Sequence, residues 1–527
     1  MFNRIPNFVL AILSAVLLSA SWFSPFTFLI FIAWIPLLII EDRISENKLK
    51  LIGLSYFTFF LWNLLVTWWI YFASFGGAAL AIVCNAILMC VVFMIWHRLK
   101  QRLNKPWGIW LLIPIWLGFE YGHTLWDLTW TWLTLGNVFA FTHNWVQWYE
   151  FTGTSGGSLW ILIINILLFQ VLKTSTLSLK KVLFPLTTII IPIIISYSLL
   201  YIRGQEKNNA STYNTLIVQP NVDPYNEKFY YSPEIQLQNL LIQIKDKLDS
   251  TTDFLVLPET FLTEDYTEGY ENETFSIPFL RDSILKFYPN LTIVTGASTF
   301  KVFKPGEPLS STARRNGNSD TYFDYYNTGL QLSLNTPYSY YHKSKLVPGV
   351  ERMPFPALFK PLESLAIDMG GTMGSLGTQD DRGVFFSHNK QVGIAPVICY
   401  ESVYSDYVAD YIRRGANIIF IITNDGWWEN TPGHRQHLAY AKLRAIETRN
   451  EIVRCANTGI SCFITPLGEV EQATPYWEKA TISKKVGVQN NHTFFVKFGD
   501  IISYTSSIIA ILLFLLSQIL RFKKKVA

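Results

Sequence analysis

Apolar and polar positions divide this chain into three stretches of different rhythm. Over residues 1–203 the apolar residues form long blocks, over 204–500 they form short runs broken by polar turns, and over 501–520 one more long block follows. A helix needs about 20 apolar residues to cross a bilayer. Blocks at 8–23, 26–40, 51–72, 77–96, 108–121, 159–172, 183–202 and 501–520 approach or reach that length, giving roughly eight candidate spans by hydropathy. The pattern therefore predicts a transmembrane domain over 1–203 with about seven spans, a separate domain over 204–500, and a last span with a basic tail over 501–527.

The middle stretch reads as α/β. Runs at 215–219, 254–257, 291–295, 326–334, 392–399, 417–423 and 452–456 are rich in Ile, Val and aromatic residues, the signature of strands. Between them, Ser232-Pro233-Glu234 is a helix start, with Ser as the cap and Pro at the first helical position. Leu237, Leu241, Ile244 and Leu248 continue one face of that helix, and a second helix is expected from about 434 to 449. Residues 301–320, with Gly, Pro, Ser, Arg314 and Arg315, read as a surface loop.

Composition supports a membrane protein: half of the residues are hydrophobic, unusual for a wholly soluble chain. The formal net charge of +4 says less than the placement of the basic residues. Arg4 precedes the first block. Arg43, Lys48 and Lys50 follow the second, Arg98 to Lys105 the fourth, Lys173 to Lys181 the sixth, and Arg521 to Lys525 the last. Intervening loops at 23–25, 73–75 and 122–158 carry no Lys or Arg. The positive-inside rule then puts both termini in the cytoplasm and 204–500 on the other side, the periplasm of a bacterium. The first block has the features of a signal peptide, yet a second block follows directly and an uncleaved anchor is expected. Segment 122–158 holds Trp126, Trp130, Trp132, Trp145 and Trp148 and reads as an interfacial aromatic layer.

Three short stretches of the middle domain carry groups suited to nucleophilic attack on a carbonyl. The apolar run 392–398 delivers Cys399 into a turn before an amphipathic segment at 404–413, where the positive end of a helix would favour the thiolate. A lone cysteine is more often a small buried hydrophobe. However, Leu255-Val256-Leu257-Pro258-Glu259 ends another strand with a carboxylate, and Tyr341-His342-Lys343 sets a lysine before Leu346-Val347-Pro348. A nucleophilic thiol needs a base for its proton and a cation or N–H donors for the oxyanion formed on attack. Glu259, Lys343 and the N–H following Cys399 fill those roles, provided that the strand ends converge at one sheet edge.

These motifs resemble the Glu-Lys-Cys triad of the nitrilase, or carbon–nitrogen hydrolase, superfamily. With membrane spans on either side, the chain is similar nearly end to end to the apolipoprotein N-acyltransferase family of that group. Val218-Gln219-Pro220-Asn221, Tyr326-Asn327-Thr328, Thr423-Asn424-Asp425-Gly426-Trp427, Gln436-His437, Arg444-Ala445-Ile446-Glu447 and Ala456-Asn457-Thr458-Gly459-Ile460 add to the likeness in the same order.

The resemblance implies a multi-pass α-helical membrane domain joined to an αββα nitrilase-like sandwich in the bacterial inner membrane, without cofactor or metal. It further implies that Cys399 takes the sn-1 acyl chain of a membrane phospholipid as a thioester, with Glu259 as base and Lys343 at the oxyanion. The acceptor is then the α-amine of the N-terminal diacylglyceryl-cysteine of an apolipoprotein. Glu351, Glu401 and Tyr400 fall at supporting positions, with structural ion pairs as the alternative for the two carboxylates. Phe229, Asn327 and Trp427 fall at substrate-binding positions, with core packing an equal alternative for Phe229 and Trp427. The chain departs from the family pattern at Gly349-Val350-Glu351, at Lys345, where histidine is frequent, and at Phe229, where the family has tryptophan.

Two other readings stay open from the residues. A membrane-anchored amidase would release the acyl group to water, and a non-catalytic scaffold or transporter would bind without turnover, Glu120 being the one charge placed near a span end. His434 and His437 share a helical spacing without the acidic or thiol partners of a metal site. Phosphate-binding glycine loops and nucleic-acid motifs are absent, so no nucleic-acid partner is expected. Cys84 and Cys90 read as packed thiols, whereas Cys455 and Cys462 flank a turn and either pair or remain free.

Overall fold

Five of the eight apolar blocks fold into helices long and apolar enough to cross a membrane, counted among the described residues: Lys48–Phe72, Phe75–Leu103, Tyr149–Lys173, Leu179–Gln205 and Ile501–Ile519. The other three are shorter or broken. Block 8–23 gives the helix Asn7–Ala20, block 26–40 a 3-10 turn Phe26–Phe31 and then the helix Ile35–Ile44, and block 108–121 a 3-10 segment Pro106–Leu111 and then the helix Leu112–Gly122. Pro25, Pro36 and Pro106 stand at these starts, where a residue lacking an N–H begins a helix well but cannot continue one.

The computed structural model describes residues 5–174, 178–206, 211–228, 230–317, 319–352, 355, 375–490 and 492–526. They fall into two units, one of Met1–Trp68, Gly77–Gln205 and Phe498–Ala527, the other of Trp69–Gly76 and Glu206–Lys497. In the first unit, much of segment 122–158 is interior rather than a surface layer. Trp132, Leu135, Phe139 and Tyr149 are buried there, and the helix Tyr149–Lys173 kinks at Gly153, whose φ of 62° suits a residue without Cβ. Buried charge is also more extensive than Glu120. Glu41 lies between His97, at 2.8 Å, and Lys100, while Glu150 pairs with Arg203 at 3.0 Å. Glu120 accepts from Trp116 Nε1 at 3.1 Å and from the Leu135 N–H at 2.8 Å. Each carboxylate has donors, as charge removed from water requires.

The second unit is built on two sheets. The first contains β1 (Ser211–Gln219), β2 (Phe254–Val256), β3 (Leu262–Thr267), β4 (Thr292–Val302), β5 (Arg314–Arg315), β6 (Tyr322–Leu332), β7 (Ser339–His342) and β14 (Ala480–Val488). Its order is β14-β1-β2-β4-β6-β5, with β3 paired to β4 and β7 to β6. The second contains β8 (Phe385–Phe386), β9 (Gly393–Ile398), β10 (Ile418–Thr423), β11 (Ile452–Ala456), β12 (Cys462–Ile464) and β13 (Val470–Glu471), in the order β13-β12-β11-β10-β9-β8.

Alternation along the strands sets the layers. Leu216, Val218, Leu255, Leu257, Ile293 and Leu330 point to one face of the first sheet and bury Leu237, Leu240 and Ile244 of the helix Pro233–Ile244. Phe254, on the opposite face, meets Phe420 of β10 with ring centres 5.5 Å apart. Helices Ser405–Arg413 and Pro432–Thr448 pack on the far side of the second sheet, which completes the expected αββα stack. β9 and β10 are buried along their whole length, which explains why they read as unbroken apolar runs. The expected helix start is present, with Ser232 Oγ accepting from the Ile235 N–H. Residues 301–320 are more ordered than a loop, since β4 runs to Val302 and Arg314–Arg315 pairs with β6.

All five cysteines are free. Arg454 lies opposite Cys462 across β11 and β12, so Cys455, one residue on, points to the other face of the sheet and cannot pair with Cys462.

Candidate active site

Glu259 follows β2 through Pro258 into a tight turn at Thr260, whose φ is 45°. A β-branched residue in the left-handed region is strained by about 1–3 kcal/mol, and the surroundings over-determine it. Gly296 N–H donates to the Pro258 carbonyl at 3.0 Å, and Lys228 Nζ bonds Thr260 Oγ1 and lies 3.4 Å from the Glu259 carbonyl. A Cβ on Gly296 would sit 2.2 Å from Thr260 N and 2.6 Å from Glu259 Cα. Both are backbone atoms, so the turn itself would have to move. Gly296→Ala is therefore expected to cost about 1–3 kcal/mol in stability. It should also displace the Glu259 carboxylate from Lys343. Thermal unfolding and a crystal structure of the variant measure the two effects, and an unchanged Glu259–Lys343 contact would refute the link between Gly296 and Glu259.

Lys343 leaves the end of β7, its N–H bound to the Asn327 carbonyl at 2.8 Å. Its ammonium donates to Glu259 Oε1 at 3.0 Å and to Glu351 Oε1 at 2.7 Å. Asn327 Nδ2 donates to the same two oxygens, at 2.8 and 3.3 Å. The Asn424 N–H donates to Glu259 Oε2 at 3.1 Å, and the Val347 N–H to Glu351 Oε2 at 2.8 Å. Two carboxylates thus share one buried lysine, which is 1% exposed. Burial works to raise Glu259, but the Lys343 ammonium, Asn327 and Lys228 outweigh it and hold the carboxyl below its usual value. Burial likewise works to lower Lys343, and the Glu259 and Glu351 carboxylates push it well above.

Cys399 leaves β9 with a φ of 49° and opens a 3-10 turn, Cys399–Val403. Its thiol is buried and feels both Glu259 and Lys343. Glu259, Lys343 and Cys399 are therefore brought together from the ends of three strands. The expectation of a resting thiolate is not met: burial, and next the Glu259 charge, raise the thiol, with Lys343 opposing them. The helix whose positive end was to favour ionisation begins only at Ser405, and a helix end acts over one turn.

Glu401, at a supporting position, is fully buried and ties two loops together. Its Oε2 accepts from the Ile398 N–H at 2.9 Å, while Oε1 accepts from the Ser344 N–H at 2.7 Å and from the hydroxyls of Tyr341 and Tyr407 at 2.5 and 3.0 Å. It joins the strand that carries Cys399 to the loop that carries Lys343. Tyr400 is buried with its ring 5.2 Å from Tyr404. Asn327 bridges the two carboxylates on Lys343. Trp427 stacks edge-on against Tyr225 at 5.1 Å, and its carbonyl accepts from the Tyr225 hydroxyl at 2.8 Å. Phe229 lies outside the described residues.

Sequence reasoning did not single out Lys228, a second buried cation beside Glu259, which burial pulls down to about 8 against the opposing pull of Glu259 and Cys399. It lies in an irregular loop without periodicity, so no local signal marks it. His437, which the sequence marks only through the Gln436-His437 likeness and a helical spacing to His434, contacts the Cys399 carbonyl.

Comparison with known proteins bears on the family of the chain. Residues 217–490, just over half of the chain, match the carbon-nitrogen hydrolase family, and residues 14–167 match the apolipoprotein N-acyltransferase N-terminal domain. Similar curated proteins include apolipoprotein N-acyltransferases of Chlorobaculum tepidum, 29% identical over 94% of this chain and 94% of that one, and of Geobacter metallireducens, 25% identical over 95% and 94%. A crystal structure of a nitrilase-superfamily protein of Saccharomyces cerevisiae aligns with 54% of this chain and 92% of its own, at 14% identity and a TM-score of 0.37. The chain belongs to the carbon–nitrogen hydrolase family, in its membrane-embedded apolipoprotein N-acyltransferase branch, and is an acyltransferase.

Proposed function

We propose that this enzyme moves the sn-1 acyl chain of a membrane phospholipid, through a thioester on Cys399, to the α-amine of a diacylglyceryl-cysteine at the N-terminus of an apolipoprotein. The observation that carries this reading is the meeting of Glu259, Lys343 and the buried Cys399 thiol. In the first half, the Cys399 proton passes to Glu259, sulfur bonds to the ester carbonyl carbon, and Lys343 with the Tyr400 N–H holds the oxyanion. The ester C–O bond then breaks, and the lysophospholipid oxygen leaves with the proton from Glu259. In the second half, the amine nitrogen bonds to the thioester carbon, Glu259 takes its proton, and the C–S bond breaks as Glu259 passes that proton to the leaving sulfur and restores the thiol. This is ping-pong covalent catalysis.

Both substrates are lipids, and the five apolar helices keep the catalyst where they reside. On the charge pattern of the loops, the catalytic domain over 204–500 lies in the periplasm, between the membrane domain over 1–203 and the span and tail over 501–527, with both termini in the cytoplasm of an inner-membrane protein. Intact-mass measurement after exposure to phospholipid vesicles is the test. The expected result is one acyl adduct that maps to Cys399, is absent from Cys399→Ala, and is discharged by a diacylglyceryl peptide with a free N-terminus. An adduct on another residue, or one that the peptide leaves in place, would sink the assignment.

A further inference from the structure

The nucleophile's own carbonyl is held by a buried charge network that the reaction as written does not use. His437, on the helix Pro432–Thr448, is fully buried. Its Nε2 lies 3.1 Å from the Cys399 carbonyl oxygen and 2.9 Å from Ser402 Oγ, and Ser402 Oγ donates to the same carbonyl at 2.7 Å. On the other side of the ring, Nδ1 lies 3.0 Å from Asp425 Oδ1. Arg454 Nη2 donates to Asp425 Oδ2 at 2.5 Å, and Thr423 Oγ1 to Asp425 Oδ1 at 2.8 Å. Burial would raise Asp425, but Arg454 and His437 outweigh it, so a firm negative charge faces the ring. The Cys399 carbonyl oxygen only accepts, so the ring grips it through an Nε2–H, while Asp425 and Arg454 Nη2, the latter 3.2 Å from Nδ1, hold the other nitrogen and fix the orientation of the ring.

Two facts turn this network into a device. Cys399 has a φ of 49°, a conformation that costs an L-residue about 1–2 kcal/mol and needs external support. A peptide unit is also planar, so its C=O and the following N–H point in opposite directions. Whatever grips the Cys399 carbonyl therefore aims the Tyr400 N–H.

We propose that His437, oriented by Asp425 and Arg454, is a positioning residue for acyl transfer: it locks the Cys399–Tyr400 peptide so that its N–H meets the oxyanion. This rests on Cys399 being the nucleophile. It makes the network specific to a step that builds negative charge on oxygen, and indifferent to thiol chemistry that does not.

The full-length enzyme in phospholipid vesicles is assayed in two ways: single-turnover acylation of Cys399, and site-resolved alkylation of the same thiol by iodoacetamide, a displacement at carbon that forms no oxyanion. His437→Ala should slow acylation by about 10²- to 10³-fold, the loss typical of a misdirected oxyanion donor. Half-saturating phospholipid should move less than about threefold and alkylation less than about fivefold. His437→Gln, whose amide N–H reaches the same carbonyl, should recover most of the rate. Asp425→Asn provides a second arm should His437→Ala not fold, and should fall between the two. Equal losses in acylation and alkylation, or an unchanged acylation rate, would overturn the proposal while leaving Cys399 as nucleophile. A wild-type adduct on a residue other than Cys399 would overturn both.

Discussion

Glu259→Gln will slow acylation of Cys399 by about 10³- to 10⁴-fold while leaving the enzyme folded. General-base removal alone is worth about 10²- to 10⁴-fold, and in the proposed reaction Glu259 has a second task. Burial first, and then the Glu259 charge, hold the thiol above its usual range; a neutral amide removes only the second cause and offers no site for the proton. The amide also carries its own hydrogens toward groups that already donate. Glu259 Oε1 accepts from Lys343 and Asn327, and Oε2 from the Asn424 N–H, so either orientation of the amide sets donor against donor. Pre-steady-state acylation with phospholipid vesicles, followed by mass, reads the effect. A loss smaller than about tenfold would remove Glu259 from the proton path.

Lys343→Met should be the more damaging change to stability. It leaves the Glu259 and Glu351 carboxylates, both close to Nζ, facing each other in a buried site without their shared cation. Breaking a buried ion pair by deleting one partner costs about 3–5 kcal/mol, because the remaining charge is uncompensated. The prediction is a lower melting temperature together with acylation reduced by at least about 10²- to 10³-fold. The double variant Lys343→Met with Glu351→Gln separates the two losses. It removes one of the stranded charges, so it should recover a large part of the melting temperature and none of the acylation. Recovery of both would mean that the lysine serves only the fold.

The strands that cross the interior were legible for a physical reason. β9 and β10 are buried on both faces, so burial demanded continuous apolar runs and left them in plain view. The helix Pro233–Ile244 was legible from its cap, because Ser232 and Pro233 satisfy the geometry of a helix start locally. Edge elements were not. β14 reads Ala-Thr-Ile-Ser-Lys-Lys-Val-Gly-Val, and a charge such as Lys485 on an edge strand is what protects a sheet edge, at the expense of any hydrophobic alternation. β8 and β13 are two residues each, too short to carry a period.

The site divides along the same line. Glu259, Lys343 and Cys399 each follow a strand or precede an apolar turn, so a reactive side chain beside a buried run stood out. Asp425, His437 and Arg454 come from three separate elements, and nothing local in any of them announces that they meet. The thiolate expectation failed because a sequence displays the start of a helix but not the depth at which a sulfur is buried. Blocks 26–40 and 108–121 contain Pro36 and Pro114, over which hydropathy averages, and block 8–23 folds into a single helix of 14 residues.

β14 pairs with β1 over nine residues, from Ser211 opposite Val488 to Gln219 opposite Ala480, and this stitches the last strand of the catalytic unit to its first. During synthesis β1 emerges some 270 residues before its neighbour, and until then one flank of that sheet is an open template for any other extended chain. A nascent chain stalled upstream of Ala480 would therefore expose a sticky border, and the sheet is complete only once Ala480–Val488 has emerged.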